Sequence, residues 1–195
     1  MREDMEKAIR EIDQFIQRPP SRPVKLMFAP SRGDYDMLLE RMQERFLWKE
    51  RLSAGTMFQS ERWKEEHDRL WAAEKKSGPK STAFQKELCH VLKEIILEFI
   101  SQNQSSKLLI YGDEELYQME FDPIHFFAAY LAEESLLLRN EIPVLWLSIG
   151  TRDSYDPNEI GYYRMEDIPG RTLQITQETF GANVWAAIPN EEDVT

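Results

Sequence analysis

The sequence predicts an α/β fold: a single domain with a mostly parallel central sheet covered by helices. Three observations lead there. The apolar runs "VKLMFA", "KLLIYG" and "IPVLWLSIG" are short and bounded by turn residues, as strands are. Amphipathic segments of helical period stand between them, which is the alternation of a parallel α/β sheet. The chain has 195 residues, of which 42% are hydrophobic and 11% aromatic, enough for the core of one ordinary domain. Residues 1–195 are therefore read as one α/β domain. Within it, 1–20 is an N-terminal helix, 47–82 a charged helical insertion and 177–195 a C-terminal extension.

In "EDMEKAIREIDQFIQ", Met5, Ile9, Ile12 and Ile16 fall at steps of three and four, one stripe of a helix. Pro19 and Pro20 end it, since proline lacks an amide and restricts its predecessor. "VKLMFA", between Pro23 and Pro30, is the first strand. "SRGDYDMLLERMQERF" is a turn and then a helix, with Tyr35, Leu38, Leu39, Met42 and Phe46 inward. In residues 47–82, "SERWKEEHDRLWAAEKK" reads as a helix capped by Ser60, with Trp63, Leu70 and Trp71 as its apolar positions. No convincing strand stands out there, and "AGTMFQ" comes nearest to one.

A long helix spans about 82–102, with Phe84, Leu88, Val91, Leu92, Ile95, Ile96, Phe99 and Ile100 on a wide apolar face. "QNQSS" breaks it, and "KLLIYG" is the second strand. Residues 113–122 form an acidic, aromatic connector. "DPIHFFAAYLAEESLLLRN" reads as one helix over about 123–138, opened by Asp122 as N-cap and Pro123 at the first helical position. "IPVLWLSIG" is near-continuously apolar, as a strand covered on both faces tends to be. "YYRM" and "RTLQIT" are candidate edge strands around the turn "DIPG".

The net charge of -11 argues against a general binder of phosphate backbones, so no direct nucleic-acid binding is expected. The one cysteine, Cys89, rules out an internal disulfide and fits a reducing compartment. "MREDMEKAIREI" lacks the apolar region of a signal peptide, and no apolar run approaches the ~20 residues that span a bilayer. A cytoplasmic protein with no membrane association is the expectation.

"KKSGPKSTAF" holds Gly, Lys, Ser and Thr in nearly the order of a phosphate-binding loop, and "KLLIYGDEE" follows with acids. The context is wrong. Gly78–Pro79–Lys80–Ser81 follows a charged helix rather than a strand, the first glycine is missing, and Pro79 removes an amide. A helix junction capped by Ser81 or Thr82 accounts for it better.

Asp113, Glu114 and Glu115 fall at the carboxyl edge of the predicted sheet, where open α/β folds place ligands. They are the candidates for a divalent metal, with Arg32 in "PSRGDYD" for an anion. A loop or helix start favoured by the dipole is the commoner reading of such acids. Cys89 and His90 are adjacent on a helix and point apart, and His67, His90 and His125 lack metal-ligand spacing. No GxSxG occurs. No catalytic residue and no cofactor are called for. Tyr162, Tyr163 and Arg164, on a predicted exposed edge strand, together with Trp185, are the candidate partner-binding residues.

An N-terminal helix ending at prolines, then "VKLMFAPSRGDYDMLLERM", "KLLIYGDEELYQMEFDPIHFFAAYLAEE", "IPVLWLSIGTRD" and "YYRMEDIPGRTLQI", make an order of features over residues 5–176. It resembles the BrxB-type proteins of bacteriophage-exclusion (BREX) defence systems. Two departures stand out: the indistinct strand in 47–82, and "TRDSYDPNEIG" where that family tends to have an aromatic-proline-glycine turn. The resemblance implies a non-enzymatic assembly or adaptor subunit whose partners are other protein subunits of a defence complex. It carries over no catalytic residue. A homo-oligomer stays open, as do two alternatives: a divergent nucleotide- or metal-dependent enzyme using Asp113–Glu115, and an acidic mimic of nucleic acid.

Overall fold

The computed structural model describes residues 3–19, 23–29, 31–77, 82–113, 116, 121, 126, 130–131, 134–149, 160–164, 174–177 and 184–188. Helix α1 (Glu3–Gln17) leads to strand β1 (Val24–Ala29) and helix α2 (Arg32–Gln43). A 3-10 turn (Trp48–Glu50) then runs into β2 (Arg51–Ser53), α3 (Ala54–Gln59), α4 (Glu61–Ser77) and α5 (Thr82–Asn103). Strand β3 (Leu108–Tyr111), helix α6 (Ser135–Asn140) and β4 (Val144–Ile149) follow. β5 (Ile160–Arg164), β6 (Gln174–Gln177) and β7 (Val184–Ile188) complete the described strands.

These strands form one sheet in the order β2-β3-β4-β1-β5-β7-β6. The first four are mutually parallel. β5 joins β1 antiparallel, β7 runs parallel to β5, and β6 closes antiparallel on β7. The fold is thus α/β with a mostly parallel sheet, and Leu26, Ile110 and Val144 lie in it together.

Strand side chains alternate between faces, so the sheet carries two cores. Met27, Ala29, Leu109, Leu145 and Leu147 face α1 and α2, meeting Ile9, Ile12, Tyr35, Leu38 and Met42. Leu26, Ile110, Val144 and Trp146 face the opposite layer, where α5 supplies Leu88, Leu92, Ile95 and Ile96. α1 and α2 are also tied through Arg45, whose guanidinium grips both oxygens of Asp13. That bond is the main cause holding the Arg45 pKa above its ordinary value, against the opposing effect of burial.

Several expectations are corrected. The strand sought in 47–82 exists as Arg51–Ser53, paired in register with Leu109–Tyr111, so this region supplies a sheet edge as well as helices. "AGTMFQ" is helix α3, because the Ser53 hydroxyl caps it by accepting from the Thr56 amide at 3.2 Å, and Ala54 and Met57 turn to the same core. The helix expected over 123–138 does not run through Glu134, which is extended and whose carboxylate caps α6 by accepting from the Leu136 amide at 3.3 Å. Its earlier part lies largely outside the described residues. "YYRM" is not an edge: β5 is paired on both sides, with β1 and β7. The C-terminal extension likewise contributes β7 to the sheet's interior. On α4, Leu70 is buried but Trp71 is exposed.

Candidate functional site

Two corners of the sheet hold the candidate chemistry. At the carboxyl edge, the chain leaves β1 for α2 on one face, whereas after β3 Leu116, Phe121 and Phe126 enter the core of the other face. β4 lies between those strands, so this is a topological switch point, the usual ligand crevice of an open α/β sheet. Ser31 caps α2 there, its hydroxyl accepting from the Asp34 amide at 3.1 Å and donating to the Asp34 carboxylate at 2.9 Å. The buried Tyr35 hydroxyl accepts the Gly112 amide at 2.7 Å. Gly112 has φ +70, and a Cβ there would meet nothing within 4 Å, so backbone conformation rather than space selects glycine.

Asp113 comes next and is 1% exposed. Its Oδ2 accepts from the Trp146 indole Nε1–H at 2.8 Å and its Oδ1 from the Ser148 hydroxyl at 3.3 Å, both on β4. The carboxylate therefore braces the end of β3 against β4. Arg32 sits 5.3 Å over the Tyr35 ring and pairs with Asp36 at 3.0 Å. Glu114 and Glu115 lie outside the described residues, as do Gly78–Ser81 and His125. The elements flanking 78–81 are both helices, α4 and α5. Among the described residues, no three His, Cys, Asp or Glu side chains group to hold a metal ion.

Between α4 and α5 runs a groove of about 350 Å³ lined by Arg62, Glu66, Arg69, Glu87, His90 and Glu94. Its charges are interleaved: Arg69 reaches Glu87 at 2.7 Å and Glu66 at 2.9 Å, and Arg62 reaches Glu94 at 3.8 Å. Cys89 is buried in the core, while its neighbour His90 lines the groove and stands edge-on to Tyr130 at 5.1 Å. Burial pushes the Tyr130 phenol up, helped by Cys89 and Glu87.

The second corner is at the opposite end of the strands, where the 3-10 turn enters β2. Leu47 is 61% and Trp48 74% exposed. The turn that presents them is pinned. The Leu47 amide donates to Glu50 Oε2 at 2.9 Å, and the Glu50 amide to the Leu47 carbonyl at 2.8 Å. The Ser105 hydroxyl donates to the Lys49 carbonyl at 2.7 Å and that of Ser106 to Glu50 Oε1 at 3.1 Å. Lys107 Nζ lies 4.0 Å from the same carboxylate, which is buried. Sequence reasoning passed over Leu47 and Trp48. The available signal was that Phe46 completes the α2 stripe, leaving two large apolar residues in "FLWKER" with no stripe to join.

The side chains of Tyr162, Tyr163, Arg164 and Trp185 lie outside what the structure describes, although their strands pair in register, Tyr163 beside Leu26 and Gly161 beside Trp185. No described helix is long and apolar enough to cross a membrane. No protein-family model, curated protein or solved structure matches the chain.

Proposed function

We propose that this chain is a non-enzymatic assembly or adaptor subunit of a bacterial antiphage defence complex, acting in the cytoplasm through protein–protein contacts. The carrying observation is the Leu47–Trp48 pair, held outward on a turn fixed by four hydrogen bonds beside an edge strand. A large aromatic whose backbone is already ordered loses little freedom on binding, the property of an interface anchor. The defence assignment comes from the resemblance in feature order to BrxB-type proteins.

The enzyme reading is weaker because the one described acid of its trio, Asp113, is engaged by Trp146 and Ser148. The nucleic-acid mimic is weaker because the acids of α4 and α5 alternate with paired arginines rather than forming one acidic face.

The test is purification of the tagged chain at native level from its host. A stoichiometric partner encoded alongside it is expected. Recovery of the chain alone overturns the reading, as does magnesium-dependent nucleotide hydrolysis abolished by Lys80→Ala or Asp113→Ala. Tyr162→Ala combined with Arg164→Ala, in the same purification, reports whether the β5 residues share in the contact.

A further inference from the structure

We infer that the Leu47–Trp48 turn receives an extended, acidic segment of a partner protein. This rests on the adaptor reading and names the chemistry of what the partner brings. Apolar surface alone would not say what covers it, but the charges around it do. Lys49 and Arg51 follow the pair closely in the chain, and Lys107 reaches the same turn beside Glu50 and the Phe46 ring, on a chain whose net charge is -11. The acid among them, Glu50, is 3% exposed and spent on the Leu47 amide, Ser106 and Lys107. Neither Lys49 nor Arg51 has an ion pair within the described residues, and Arg51 Nε is buried without a hydrogen-bond partner there.

The backbone adds the word extended. Among the described strands β2 pairs with β3 alone, so the other side of Arg51–Ser53 is the edge of the described sheet, at which an incoming strand can pair. A second copy of this chain fits less well, because a twofold contact would set Lys49, Arg51 and Lys107 against themselves. A nucleic acid fits less well because its long run of phosphates would meet the field of the whole acidic chain.

The experiment is selection of a random-peptide phage library on the immobilised full chain, followed by binding of the synthetic winner. Enrichment of peptides carrying two or more acids around an apolar residue is expected. Trp48→Ala should weaken the winner roughly thirtyfold, the usual effect of truncating an aromatic anchor. Lys49→Glu should weaken it about tenfold or more. Both variants should melt as the wild type does, Trp48 being 74% exposed.

Neutral or basic winners overturn the inference, and so does binding indifferent to Trp48→Ala. So does a labelled single-stranded oligonucleotide, or self-association in sedimentation, that is lost with Trp48→Ala. A native partner still co-purifying with Trp48→Ala removes this surface and leaves the adaptor reading standing. Absence of any partner for the wild type removes the adaptor reading itself.

Discussion

Substituting Asp113 asks whether the buried carboxylate at the switch point is a brace or a chemical group. Asp113→Ala leaves the fully buried Trp146 indole N–H without its 2.8 Å acceptor. An orphaned buried donor costs about 1–3 kcal/mol. The Ser148 hydroxyl, at 3.3 Å, is a longer bond on a group that can rotate, and its loss adds at most about 1 kcal/mol. Removing a desolvated charge returns part of this. The balance is a loss of roughly 1–3 kcal/mol, or about 2–12 °C in Tm for a domain of this size. Asp113→Asn keeps one oxygen that can accept from Trp146, so it should fall between the two, near 1 kcal/mol. Thermal and urea unfolding of the three proteins provide the assay. The reasoning fails if Asp113→Ala is as stable as the wild type or more so. The carboxylate would then be held at the expense of stability, as functional groups often are, and the enzyme reading would regain its ground.

Lys25 is buried on β1, 3.6 Å from Glu11 and 5.5 Å from the Phe15 ring centroid. Lys25→Met should lie within about 1 kcal/mol of wild type in urea unfolding, whereas Glu11→Ala, which weakens the pairing of a buried ammonium, should cost about 1–3 kcal/mol. Ser60 caps α4, accepting from the Trp63 amide at 3.1 Å, and Ser60→Ala should cost about 1 kcal/mol by the same measurement. The Tyr130 phenol is raised by burial, so its stabilising contribution is present below the ordinary tyrosine pKa of about 10 and is lost as pH rises through the folded value. The fall of the urea midpoint above that pH should be shallower in Tyr130→Phe.

What the sequence discloses depends on how local the signal is. β1, β3 and β4 are apolar runs with clear boundaries, and α1, α2 and α5 carry stripes many turns long, so all six are readable. β2 is three residues with one buried side chain, Leu52, and that is too short to show alternation. The break at Glu134 hides because "LAEESLLL" has helical preference throughout, and a glutamate cap is a weak signal. Three adjacent acids suggest a metal, but Asp113 is bonded to Trp146 and Ser148, 33 and 35 residues away, and no local spacing reveals them. The interior place of β5 is missed for the same reason. Its composition suits an edge, and pairing with a strand more than 130 residues earlier is a decision of topology.

Salt dependence separates the local charge of the Trp48 corner from the charge of the whole chain. An acidic peptide approaching it is drawn by Lys49, Arg51 and Lys107 and repelled by the remainder of a chain at net -11. The two effects act over different distances. At about 10 mM salt the Debye length is near 30 Å, so acids across the molecule are felt at the corner. At about 150 mM it is near 8 Å, and little beyond the adjacent cations counts. Affinity should therefore rise as salt is raised from the lowest concentration, pass through a maximum, and fall as the local pairs are screened in turn. Fluorescence anisotropy of a labelled acidic peptide across that range measures it. A steady fall from the lowest salt would mean that the chain's net charge does not reach this corner. A steady rise would mean that the three cations contribute no attraction, and the acidic character assigned to the partner would be wrong.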